Sequence, residues 1–199
     1  MAKKFLHTLL TPSVLEAQEH YYGRHAAVGA APERDSLPDD ERHFIEERDS
    51  FYLATITENG WPYLQHRGGP IGFLRVLSPT QLAFADYKGN RQLLSTGNLA
   101  ANDRAALFLM DYPKRTRLKI LGNVRVEDAR AHPEMVAQLA DPDQRDRVER
   151  LFLIDIVSFD WNCPQYITPR YTAAEVAKAV APLQARIAEL EALIKTKTG

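Results

Sequence analysis

The chain has 199 residues, 45% hydrophobic and 26% charged, which is enough apolar material for a core and leads us to expect one domain with appended helices. Its 25 basic and 26 acidic residues nearly cancel, excluding a global field that would draw it to nucleic acid or a membrane surface. The single cysteine, Cys163, excludes an internal disulfide framework and a cysteine-rich metal site, and a reducing cytoplasm is the expected compartment.

The first residues, MAKKFLHTLLTPSVLEAQ, carry a short apolar run broken by His7 and Thr8 with no small-residue cleavage site after it, and read as mature sequence. No run reaches the ~18 apolar residues of a membrane span. PSVLEAQEHYY, 12–22, is weakly helical with Pro12 at a tolerated start, and GAAPERDSLP, 29–38, is a linker. Residues 1–40 are therefore expected to form a helical extension and linker, 41–170 the main domain, and 171–199 a C-terminal helix.

A helix from Asp39 to about Arg48 turns Phe44 and Ile45 toward a core, and the apolar period then changes to two. FYLATIT (51–57) and WPYLQH (61–66) flank the turn Glu58-Asn59-Gly60, with Pro62 favouring an edge or strand start. FLRVL (73–77) and QLAFAD (81–86) form a second pair, followed by the loop and short helix of YKGNRQLLSTGNLAAND. Further strands follow at 104–112, 115–128 and 149–161. In the second of these, Leu118, Ile120, Gly122, Val124 and Val126 share one face, while Arg117, Lys119 and Arg125 lie on the other. Six or more short strands joined mostly by turns predict a closed antiparallel β-barrel rather than a parallel sheet, with helices outside it. The last helix carries Val176, Val180, Leu183, Ile187, Leu190 and Ile194 at spacings of 4, 3, 4, 3 and 4, interrupted by Pro182. That stripe suits packing on its own domain or on a partner chain.

Familiar catalytic motifs are absent: there is no GxSxG, P-loop or HExxH. His7, His20, His25, His43, His66 and His132 show no paired-ligand spacing, so no metal site is expected. Two stretches stand out. In DYKGNRQLL, 86–94, Gly89 permits close backbone approach, Asn90 suits an N-cap, and Lys88 and Arg91 bring positive charge to a helix start. Cations there oppose the helix dipole but favour a bound phosphate, so the stretch reads as an anion cradle or as a solvated basic turn. In QHRGGPIGF, 65–73, glycine and proline fill four of the five positions from Gly68 to Gly72. They leave either a flat wall of exposed amides for a planar ring, delivered beside Gln65, His66 and Arg67, or a bent connection between strands.

Taken together, RGGPxGF, DYKGNR and NCPQYIxPR resemble the pyridoxamine 5′-phosphate oxidase-like superfamily of FMN-binding split barrels over about residues 42–168. The resemblance implies a six-stranded antiparallel split β-barrel with flanking helices, and a homodimeric flavoprotein oxidoreductase with FMN at the subunit interface. It implies cofactor contacts from Gln65, His66, Arg67 and Gly68 along the ring, from Asp86 and Tyr87, from Lys88, Asn90 and Arg91 at the phosphate, and from Arg117 and Lys119 across the interface. Asn162, Gln165, Tyr166 and Arg170, in place of the vitamin B6 oxidase's tryptophan and arginine, are expected to close the pocket, which puts a pyridoxine substrate in doubt. A small-molecule substrate or a donor such as NAD(P)H is the expected partner. His66 is the candidate acid or base, with a hydrogen bond holding the strand or the flavin as its other role. Cys163 is read as a buried inert thiol or an active one. A deazaflavin-dependent reductase and a non-catalytic flavin or haem carrier or sensor are the alternatives on the same fold. Arg91→Ala is expected to weaken FMN binding by about 1.5–3 kcal/mol.

Overall fold

The computed structural model describes residues 3–27, 29–161 and 164–198. It forms two compact units: one runs through Asp111 and from Thr116 to Pro164, the other joins Tyr112–Arg115 to the chain from Gln165 onward. The first unit begins with α1 (Lys3–Leu9), α2 (Pro12–Tyr22) and α3 (Asp39–Glu46). The sheet strands are β1 (Ser50–Ile56), β2 (Pro62–Gly68), β3 (Arg75–Ser78), β4 (Gln81–Tyr87), β5 (Arg104–Asp111), β6 (Thr116–Asp128) and β7 (Val148–Trp161). Between them lie α4 (Leu94–Ala101) and α5 (Pro133–Leu139), and the second unit carries α6 (Ala173–Thr198).

The sheet has seven strands in the order β2-β1-β5-β6-β7-β4-β3, where six were expected, and it is mainly antiparallel β with flanking helices. Its ladder stays open, with β2 and β3 as edges, rather than closing into a barrel. The cause lies between those two strands. The connection after β2 spends its amides on the end of α3 instead of on a β2–β3 ladder: Gly69 N–H donates to the Asp49 carbonyl and Gly72 N–H to the Arg48 carbonyl, both at 2.9 Å. Pro62 opens the β2 edge, where a missing amide costs no ladder bond.

Alternation explains the burial. Phe51, Leu53 and Thr55 of β1, and Leu118, Ile120, Gly122 and Val124 of β6, point into one core. That core also holds Phe84, Leu107, Leu109, Phe152, Ile154 and Ile156. Strand β4 is buried continuously from Leu82 to Asp86 because its second face is covered too. Ala83 and Ala85, with Leu151 and Leu153 of β7, pack beneath Val136 and Leu139 of α5. A register shift between Leu121 and Gly122 marks a bulge in β7, and Ile154 packs so closely there that a β-carbon on Gly122 would lie 2.7 Å from its Cγ2.

Phe5 buries α1 against the sheet, with the Lys119 ammonium 4.6 Å from its ring centre. In the second unit, α6 is one helix of 26 residues that continues through Pro182 instead of splitting there. Among the described residues no helix is long and apolar enough to cross a membrane, and no group of three metal-ligating side chains comes together.

Candidate functional site

Strand parity decides what β2 offers. Tyr63, Gln65 and Arg67 share one face. They meet Asp86 and Tyr87 at the end of β4, the whole turn from Gly89 to Thr96, and Arg150 of β7 around a single cleft of about 260 Å³. The two stretches singled out by sequence thus converge, although β2 and β4 are not neighbours in the ladder.

A charge cluster bridges them. Arg67 donates to one Asp86 carboxylate oxygen at 2.6 Å and Arg150 to the other at 2.8 Å. Asp86 is 9% exposed, so these are charge-assisted bonds largely out of water. The Arg67 guanidinium also lies over the Phe84 and Phe152 rings, 5.7 and 5.1 Å from their centres. Its Nε is buried with no hydrogen-bond partner among the described residues. Arg150 reaches Glu149 at 3.1 Å, and the more exposed Arg91 stands 4.0 Å from the same carboxylate group. Three guanidiniums against two carboxylates leave this corner with a positive excess. Burial above all, with Asp141 adding and Arg147 opposing, pushes the Tyr87 phenol above its ordinary value, so it stays neutral at physiological pH.

The turn is strained. Arg91 and Leu93 have φ of 61° and 55°, in the left-handed region that side chains rarely adopt. Asn90 accepts from the Gln92 N–H at 3.1 Å, an Asx turn, and does not cap the helix as its residue type suggested. The helix α4 starts four residues later, with Leu93 at the N-cap and, among the described residues, no side-chain cap hydrogen bond there. Leu94, Ser95 and Thr96 of its first turn line the cleft. Ser95 Oγ donates to Gln65 Oε1 at 2.8 Å, and Asn98 Nδ2 donates to the buried Thr55 Oγ1 at 2.9 Å, locking α4 onto β2 and β1.

Other residues expected at the site sit elsewhere. His66 lies on the opposite face of β2, edge-on to Tyr52 at 5.6 Å between ring centres. The flat amide wall expected at 68–72 is replaced by the bent connection: Gly68 pairs with Ser50, and Gly69 and Gly72 give their amides to the α3–β1 turn. Gly72, at φ 76° in the left-handed region and with a β-carbon position only 3.0 Å from the Glu46 carbonyl oxygen, is suited to glycine. Lys88 is exposed, its backbone amide held by the Arg147 carbonyl at 3.0 Å. Arg117 and Lys119 lie on β6 outside this cleft, Lys119 paired with Asp160 at 3.0 Å. Gln165 and the 94% exposed Tyr166 belong to the second unit, where Arg170 stacks over Tyr112 at 5.0 Å. Asn162 and Cys163 lie outside the described residues.

Tyr63, Ser95, Thr96 and Arg150 are cleft residues that sequence reasoning missed. Arg150 carries one local signal, a cation at the head of the apolar run LFLIDIV.

Solved structures with a similar chain path include HupZ from Group A Streptococcus, at 9% identity over 68% of this chain and 99% of that chain with a TM-score of 0.49. A pyridoxamine 5′-phosphate oxidase-related, FMN binding protein from Nostoc punctiforme shows 16% identity over 68% and 85%, with a TM-score of 0.46. A protein related to general stress protein 26 from Clostridium acetobutylicum shows 15% identity over 62% and 86%, with a TM-score of 0.45. Among curated proteins none matches the chain. Residues 37–156, more than half of the sequence, match the family described as pyridoxamine 5′-phosphate oxidase, and the chain belongs to that family.

Proposed function

We propose that the cleft between β2 and the 89–96 turn binds the phosphate and ribityl end of FMN, and that the protein is a homodimeric, cytoplasmic flavin-dependent oxidoreductase. One observation carries this reading: Gln65 and Arg67 line the same cleft as the basic turn and the uncapped start of α4. A helix start with open amides and neighbouring guanidiniums attracts a phosphate. The buried Arg67 Nε, without a hydrogen-bond partner among the described residues, fits an acceptor oxygen arriving with the ligand.

Asp86 holds Arg67 and Arg150 in place, so the cations are ordered before the anion arrives. Ser95 orients the Gln65 amide, whose nitrogen then points its donors at the ligand's polar edge. The cleft, about 260 Å³, falls short of the ~300–1,000 Å³ usual for cofactor pockets, consistent with a second copy completing the site. Arg117 and Lys119 are the residues we assign to that contribution, as cations near the ring. Bound FMN supplies hydride or electron transfer, and NAD(P)H or another small molecule is the expected donor.

The test is the absorption spectrum of the purified protein and its titration with FMN. Bands near ~375 and ~450 nm support the proposal, whereas a band near ~420 nm or a strong Soret band assigns a deazaflavin or haem instead. Stopped-flow mixing with NADH or NADPH then separates an enzyme, which reduces the flavin, from a carrier. A protein that neither retains nor takes up FMN overturns the reading.

A further inference from the structure

The α6 stripe has a heptad grammar that names its occupant. Its start is set by a reciprocal cap: Glu175 N–H donates to Thr172 Oγ1 at 3.2 Å, and the Thr172 N–H donates to Glu175 Oε2 at 2.7 Å. From there Val176, Leu183 and Leu190 occupy d positions, and Val180, Ile187 and Ile194 occupy a positions. The stripe is open to solvent, with Leu183 64% and Ile187 56% exposed. β-Branched residues at every a position, with leucine at two of three d positions, are the pattern of a parallel two-stranded coiled coil. Pro182 falls at a c position, which faces outward from the seam.

We propose that α6 pairs with α6 of a second copy of this chain as a parallel, in-register, two-stranded coiled coil. Charge selects the direction. Arg186 falls at g and Glu191 at the following e, the two positions that face each other across a parallel dimer, so two Arg186–Glu191 pairs flank the Ile187–Leu190 layers. With full overlap in the antiparallel sense, Arg186 faces Arg186 of the other copy and Gln184 faces Gln184, and both attractions are lost. Arg186 is already poised on this flank, 2.5 Å from Glu189 within its own helix, an exposed contact that a cross-chain carboxylate replaces at little cost. The pairing does not rest on the cofactor reading, because its readout is the same with or without a bound flavin.

The test uses the full chain with Cys163→Ser, adding Ile194→Cys at the seam or Ala192→Cys at an outward position. Mild oxidation followed by a non-reducing gel is expected to give a disulfide-linked dimer for Ile194→Cys and little for Ala192→Cys. Adding Arg186→Glu is expected to slow cross-linking of Ile194→Cys roughly tenfold, and adding Glu191→Arg to that variant to restore it. An antiparallel pair sets the two residue 194 positions about 27 Å apart and instead links an Ile194→Cys chain to a Val176→Cys chain. That outcome refutes the proposal. So does the absence of any cross-link, which assigns the stripe to its own chain; a helical circular dichroism spectrum matching the parent confirms that α6 is folded in each variant.

Discussion

Replacing Asp86 with asparagine tests whether a buried ion triad ties the two halves of the cleft together. Asp86 receives Arg67 from β2 and Arg150 from β7, with side-chain exposures of 11% for the acid and 16% and 18% for the arginines. Breaking a buried ion pair from one side costs about 3–5 kcal/mol, because the remaining charge is left uncompensated. Asparagine keeps one acceptor oxygen, and both guanidiniums retain some water, so the low end, about 3 kcal/mol, is expected for Asp86→Asn. For a chain of this length that lowers Tm by about 6–12 °C, read by circular dichroism on flavin-free protein. FMN binding should move the other way. Removing the carboxylate frees two guanidiniums for the phosphate, a gain expected to exceed the benefit of the ordering that Asp86 gives them, so affinity by fluorescence titration should tighten by roughly three- to tenfold. A Tm change below about 2 °C would show that the triad does not hold β2 to β4. Weaker FMN binding would mean that the ordering of the two arginines by Asp86 outweighs the charge it takes from the phosphate.

Arg91→Ala should weaken FMN binding by only about 1 kcal/mol by calorimetry, less than residue type alone suggested, because its side chain is 64% exposed and shares Glu149. A loss beyond about 2 kcal/mol would make Arg91 the main anchor. Gly122→Ala should destabilise by about 1–3 kcal/mol in urea, since its β-carbon would sit 2.7 Å from Ile154 Cγ2 and 3.1 Å from the Asp155 carbonyl. An unchanged midpoint would mean that the bulge relaxes. Burial holds the Asp35 carboxyl above its ordinary value against a backbone hydrogen bond from Phe159 and the charge of Lys4, and its Oδ2 has no partner among the described residues. Its contribution is therefore fully present below the unfolded value and lost as pH rises through the folded one. Asp35→Asn should gain stability relative to the parent between pH 3 and pH 7, and a gain that instead grows toward low pH would reverse the sign.

Local residue patterns were sufficient for most of the elements. Two-residue alternation in TRLKILGNVRV and in FYLATIT sets which side chains share a face, and that fact needs no partner strand. The basic turn at 88–91 was equally legible, since glycine freedom and clustered cations are properties of a few adjacent residues. What no local pattern carries is which distant group answers a given side chain. Arg150 meets Asp86 across 64 positions, and Ser95 meets Gln65 across 30. Parity places His66 opposite Gln65 and Arg67, but only the curl of the sheet decides which of those faces borders the cleft. The glycines after β2 show the same limit. Their freedom was visible in the sequence, yet whether their amides meet a ligand or the end of α3 depended on where α3 packs, and the carbonyls of Arg48 and Asp49 claimed two of them.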